Sequence, residues 1–157
     1  MAWPEDFASL EEGVGCEMCD DGRPEDNGYG LRILAGSHCD AYLQREGFHR
    51  GYVVVIHRGD RHVTELMDLP ADEAEAYWRE VLAVAAAVRD FYDPLKMNLM
   101  VLGNALPHLH THVVPRYGDD TDAGGPPVFD IEGPRSEELL KSDADGLRAR
   151  LAADDPS

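Results

Sequence analysis

Apolar positions along this chain change period several times, and each change marks an element. Tyr52 to Ile56, inside GYVVVIHR, is an unbroken apolar run rich in β-branched residues and predicts a strand. Shorter strand-like runs precede it at about 29–34 and 40–44. From Ala74 through Tyr77, Trp78, Val81, Leu82, Ala85, Val88, Phe91 and Tyr92, apolar residues recur at i, i+3, i+4, which predicts one long amphipathic helix. Asp72 and Glu73 suit its positive N-terminal end, and Pro94 stops it. Met97–Leu102 and His108–Pro115 are two further strand candidates joined by a tight connection, and they predict a hairpin.

The flanks carry less pattern. Residues 1–28 read as irregular, with nothing resembling core and with CEMC on a turn. After Tyr117, GDDTDAGGPPVFDIEGP predicts an ordered loop or mobile arm anchored only by Val128, Phe129 and Ile131. Leu139, Leu140, Leu147 and Leu151 then predict one or two short helices between Ser136 and Ala153. The whole is a single α+β domain over 1–157: a knuckle at about 14–28, a core at about 29–117, and a loop with C-terminal helices at about 118–157. The expected fold is an antiparallel sheet flanked by one long and one or two short helices.

Composition narrows the partners. Fourteen basic residues against 31 acidic ones give a net charge of −17, which repels polyanions and argues against nucleic acid, while leaving room for a small phosphate ester. No run reaches the roughly 18 apolar residues of a membrane span, and the start of the chain lacks export features, so the expectation is a cytoplasmic protein with no membrane partner. Three cysteines without an export signal point away from disulfides. Cys16 and Cys19 as Cys-x-x-Cys suggest metal or redox chemistry, and Cys39 a buried thiol.

Chemistry concentrates in NALPHLHTHVV. On a strand His108, His110 and His112 share one face, and Leu109, Thr111 and Val113 the other. Three readings are open: histidines tolerated in a strand, a metal-binding strip, or nucleophilic catalysis by a neutral imidazole. Gly103 and Asn104 before the triad and Arg116 after it add donors suited to an anionic substrate, which favours catalysis.

At these residues the chain resembles the histidine triad family, whose His-x-His-x-His followed by apolar residues is HLHTHVV here. GYVVVIHRGDRH is similar to that family's Gly-His-x-Leu-Val-Ile-Pro-Lys-x-His stretch, and CEMC and the order of elements agree over about residues 14–117. The resemblance implies a homodimer with no organic cofactor that cleaves nucleotides at the α-phosphorus. His110 is the implied nucleophile. His112 would orient it or hold a phosphate oxygen, and Asn104 would hold a substrate oxygen. Substrates would be dinucleoside polyphosphates or nucleoside phosphoramidates. In the zinc-bearing branch, Cys16, Cys19, His62 and His108 would hold a structural Zn²⁺, with His57 as substitute if His62 points away. The alternatives are a nucleotide-binding protein with little activity and a small structural-zinc interaction module. This chain has Ala105 and Leu106 where relatives carry a hydroxyl residue, which favours leaving groups that need no proton, and Tyr52 where they often have histidine. Ile33, Leu34, Tyr42 and Val54 are candidates for the pocket wall, and His38 and His49 read as surface groups.

Overall fold

A computed structural model describes residues 3–45, 49–120, 123–129 and 136–153. Five strands, β1 (Gly30–Ala35), β2 (Cys39–Gln44), β3 (Val53–His57), β4 (Lys96–Val101) and β5 (His110–Arg116), form one antiparallel sheet in the order β1-β2-β3-β5-β4. The helices are α1 (Phe7–Glu11), α2 (Glu17–Asp20), α3 (Ala71–Tyr92) and α4 (Glu137–Ala153). The α+β expectation therefore holds. β4 and β5 pair as the predicted hairpin, and β5 continues through Pro115 to Arg116, where β4 alone pairs with it.

The two faces of the sheet are unlike. Cys39, Ala41 and Leu43 of β2, Val53 and Val55 of β3, and Leu109 and Val113 around β5 all enter one core under α3 and α4. The period of two makes this possible, because alternate residues of each strand face the helices. Val81, Val84 and Val88 of α3 are wholly buried there, each contributing roughly 1.5–3 kcal/mol relative to exposure. Thr111 is a polar residue on this face, and its hydroxyl hydrogen-bonds that of Tyr77 at 2.8 Å. α3 ends where Asp93 adopts a left-handed conformation (φ 49°) just before Pro94.

The opposite face bears Tyr42, Val54 and Ile56, with Met18 and Tyr52 packed beside them and, among the described residues, no helix of sheet length above. The N-terminal segment contradicts its irregular expectation: it forms α1 and α2, and Leu10 and Cys16 are buried. Five- and four-residue helices carry too little period to be legible. Ile33 and Leu34 belong to the helix-side core and not to a pocket wall. His49 is buried (4% exposed), not a surface group, and lies 3.5 Å from Asp120. The C-terminal helix is single. Ile131 lies outside the described residues. Among the described residues no helix is long and apolar enough to cross a membrane.

Candidate active site

Two constellations flank the start of β5. His108 sits in a bend just before the strand, and its amide and that of Leu109 bond to Leu106 and Val63 carbonyls at 2.8 and 2.7 Å. Its ring meets Cys16, Cys19 and His62, and one ligand atom from each of the four lies within 4.8 Å of the others. The Nδ1 of His108 is 3.4 Å from both sulfurs, and Nδ1 of His62 is 3.4 Å from Cys19 Sγ. Tetrahedral zinc bonds of about 2.3 Å to sulfur and 2.0–2.1 Å to nitrogen place S and N about 3.5 Å apart, so the spacing fits that ion. His108 Nε2 reaches the His57 carbonyl at 3.0 Å. Donation there leaves the Nδ1 lone pair for a metal. Burial and the adjacent Cys16 push the Cys19 thiol up to about 11, a penalty on neighbouring thiolates that a bound cation reverses.

His62, and not His57, joins the cluster. The His57 ring packs edge-on against Tyr77 at 5.6 Å and is 3% exposed. Gly13, at φ +84°, lets α1 approach, since a Cβ there would lie 3.0 Å from the His62 ring.

His110 and His112 instead border a cavity of about 310 Å³ on the open face of the sheet. Its apolar wall is Met18, Tyr42, Val54, Ile56 and Leu106, and its polar groups include Asn27, Gln44 and Arg58. The size and mixed lining suit a small-molecule site. His110 Nδ1 lies 2.6 Å from the His108 carbonyl. A carbonyl only accepts, so Nδ1 carries the proton and Nε2 the lone pair. Burial holds His110 below the ordinary imidazole range, and burial with the nearby His110 ring lowers His112 to about 4. Both rings are therefore neutral at pH 7.

An ion triad centred on one buried carboxylate braces the wall. Asp40, 0% exposed, accepts from Arg23 at 2.8 and 2.9 Å and from Arg58 at 2.8 Å, while Arg58 also donates to the Met18 carbonyl. Sequence reasoning passed over Arg23, Asp40, Arg58 and Gln44; a lone aspartate in the otherwise apolar CDAYL was the available signal. Three expected contributors are not brought to the cavity wall. Gly103 (φ +79°) and the exposed Asn104 lie on the β4–β5 connection, of which Leu106 is the residue that lines the cavity. Arg116 is 4% exposed at the far end of β5 and donates to Asp120, Asn98 and the Gly125 carbonyl.

A profile of the HIT domain matches residues 29–119. The chain is 26% identical over 92 residues to Protein hit of Bacillus subtilis, covering 55% of this chain and 62% of that one. It is 27% identical over 84 residues to the bifunctional bis(5'-adenosyl)-triphosphatase/adenylylsulfatase FHIT of Arabidopsis thaliana, covering 50% of this chain and 46% of that one. The match thus spans about half the length of these curated relatives. Among solved structures, a histidine triad protein from Marinobacter aquaeolei superposes with TM-score 0.68 at 25% identity, over 80% of this chain and 90% of that one. A Zn-bound histidine triad family protein from Mycobacterium smegmatis gives TM-score 0.60 at 23% identity, over 89% and 93%.

Proposed function

The chain belongs to the HIT domain family, and on that premise we propose that it is a nucleotide hydrolase or nucleotidyl transferase working through His110. The observation that carries this reading is the 2.6 Å contact of His110 Nδ1 with the His108 carbonyl, on a ring that borders the cavity. Nε2 attacks the α-phosphorus, a P–N bond forms, and the bond to the leaving group breaks. The ring becomes cationic with its proton still on Nδ1, and the carbonyl bond strengthens as charge develops. Water, or another acceptor, then takes the nucleotidyl group, the P–N bond breaks and the neutral imidazole returns. His112 holds a phosphoryl oxygen, and the apolar wall of Tyr42, Val54 and Ile56 receives the nucleoside.

The connection 102–107 offers no hydroxyl proton donor, which favours polyphosphate leaving groups over amines, so dinucleoside polyphosphates rank ahead of nucleoside phosphoramidates. Asn104 enters as an exposed amide available to a leaving group that extends past Leu106, with Gly103 shaping the turn beside it. Cys16, Cys19, His62 and His108 would hold a Zn²⁺ through two thiolates and two imidazoles, which would serve as a structural tie between the knuckle and β5. The edge strand β4, with Leu95, Val101 and Leu102 exposed around it, supports a homodimer. Three unpaired thiols suit the cytoplasm.

The test is AMP release from diadenosine tetraphosphate and from adenosine phosphoramidate by the wild type and His110→Ala. Release by the wild type alone supports the reading. Saturable AMP binding with no product from either substrate selects the binding protein instead, a reading favoured by the missing hydroxyl. A melting temperature unmoved by nucleotide would leave the zinc interaction module.

A further inference from the structure

Tyr52 has a relation to the triad that a wall residue does not need. Its hydroxyl lies 2.6 Å from His112 Nδ1, and among the described residues this is its one hydrogen-bond partner. The two rings are nearly parallel, 14° apart with centroids at 5.9 Å. Phe129, from the loop after β5, covers both, 5.4 Å from Tyr52 and 5.5 Å from His112. That loop is anchored by Arg116, which donates to the Gly125 carbonyl at 2.9 Å. Gly51 fixes where Tyr52 starts: at φ +84° its backbone passes so close to the Tyr92 ring that a Cβ would lie 2.5 Å from it.

A neutral imidazole carries one proton, and the partner of one nitrogen decides which nitrogen holds it. Burial raises the Tyr52 hydroxyl above the usual phenol range, so it keeps its proton and has it to donate. Donation into Nδ1 leaves the His112 proton on Nε2, the nitrogen remaining for the cavity that His112 shares with His110, whose ring centroid is 4.8 Å away.

We propose that Tyr52 is a positioning residue that sets the tautomer of His112, so that His112 presents an N–H donor, and never a lone pair, to a phosphoryl group on His110. A lone pair there would repel the anionic oxygen that the N–H would hold, so the same ring in the other tautomer opposes the reaction. Phe129 contributes by keeping water from competing for the hydroxyl. The proposal rests on the nucleotidyl-transfer reading for its consequence, but its structural content stands on the Tyr52–His112 bond alone.

The test is long-range ¹H–¹⁵N NMR of imidazole-¹⁵N-labelled, zinc-loaded protein, with His112→Ala used to assign the His112 signals, followed by nucleotide kinetics. In the wild type, His112 should be protonated on Nε2 and bare on Nδ1. Tyr52→Phe keeps the ring and its packing; it should give a mixture of tautomers, lower kcat at least about tenfold and change AMP affinity by less than about threefold. A proton on His112 Nδ1 in the wild type would overturn the proposal, and so would a Tyr52→Phe protein with unchanged tautomer and kcat. If the wild type turns over no nucleotide, the hydrolase reading falls while the NMR of the wild type still decides the assignment of Tyr52. The same wild-type spectrum decides it if Tyr52→Phe fails to fold.

Discussion

Two sets of side chains centre on histidines two residues apart, one just before β5 and one at its start, and are built on opposite principles. Around His108 every donor points at a common centre: both sulfurs lie 3.4 Å from its Nδ1, and His62 closes the set. Around His110 and His112 the donors line a volume, with apolar walls and one imidazole whose Nδ1 is occupied by a carbonyl. Convergence onto a point suits an ion and leaves no room for substrate. Divergence around a space leaves a lone pair able to react. The difference arises within two residues, where the chain passes from a bend at His108 into the ladder at His110. On the proposed function one set serves stability and the other chemistry, and that division can be tested.

Replacement of the proposed nucleophile gives the largest effect. His110→Ala should lower AMP release from diadenosine tetraphosphate by at least about 10³-fold, as loss of a nucleophile does. The melting temperature should shift by only a few degrees, since the Cys16, Cys19, His62 and His108 cluster and the core are untouched. A variant that keeps most of its activity would put the chemistry elsewhere.

Removing the metal should do the reverse. Cys16 is wholly buried and joins the N-terminal segment to β5, so chelation should cost several kcal/mol of stability, measured by denaturant titration. The effect should also reach the cavity, because Met18, between the two cysteines, is part of its wall and its carbonyl accepts from Arg58. AMP affinity should fall along with stability. Full affinity in the metal-free protein would show that the knuckle does not need the ion to shape the cavity.

What was legible follows from the range of the interactions. The long helix, the strands and the triad carry their signal in local period, and the structure places α3 and β1–β5 within a few residues of where the pattern does. Resemblance to a family, not spacing, joined Cys16 and Cys19 to His62 and His108, and the four do converge. The Asp40 triad was not legible: its arginines are 17 and 18 residues away on opposite sides, and nothing local marks Arg23 or Arg58 as partners of a buried carboxylate. Arg116 is the complementary case. Its position after the triad suggests a substrate contact, and alternation keeps it on the face of His110 and His112, but strand length sets it at the far end of β5, where it is buried and donates to Asp120, Asn98 and the Gly125 carbonyl.

Arg116 therefore separates fold from site. Arg116→Ala removes donors to Asp120, Asn98 and Gly125 and leaves a largely buried carboxylate without its cation, at about 3 kcal/mol. AMP affinity should change little. A large affinity loss with unchanged stability would return Arg116 to the substrate site.

Acid should weaken the cavity side by a smaller, graded amount. His112 is lowered to about 4 in the folded protein by burial and then by His110, while an unfolded histidine titrates near 6.5. The unfolded state thus gains its proton first as pH falls. This contribution is complete above about pH 6.5, declines below it and is exhausted near pH 4. Denaturation midpoints compared between wild type and His112→Gln should fall more steeply with pH over that window in the wild type, the variant keeping only the share that other buried histidines such as His57 contribute.

The smallest effect belongs to Asn104, and it bears on where the cavity ends. Its side chain is exposed on the connection and is not part of the cavity wall, so Asn104→Ala should change AMP affinity by less than about twofold, within the ±0.5 kcal/mol of surface substitutions. A leaving polyphosphate that extends past Leu106 could still accept its amide N–H, a bond worth about 0.5–1.5 kcal/mol, or about two- to tenfold in turnover of diadenosine tetraphosphate. The two measurements together locate the boundary: loss of turnover with AMP binding intact puts Asn104 on the leaving-group side, whereas loss of AMP binding would bring it inside the nucleotide cavity, in a position the free protein does not show.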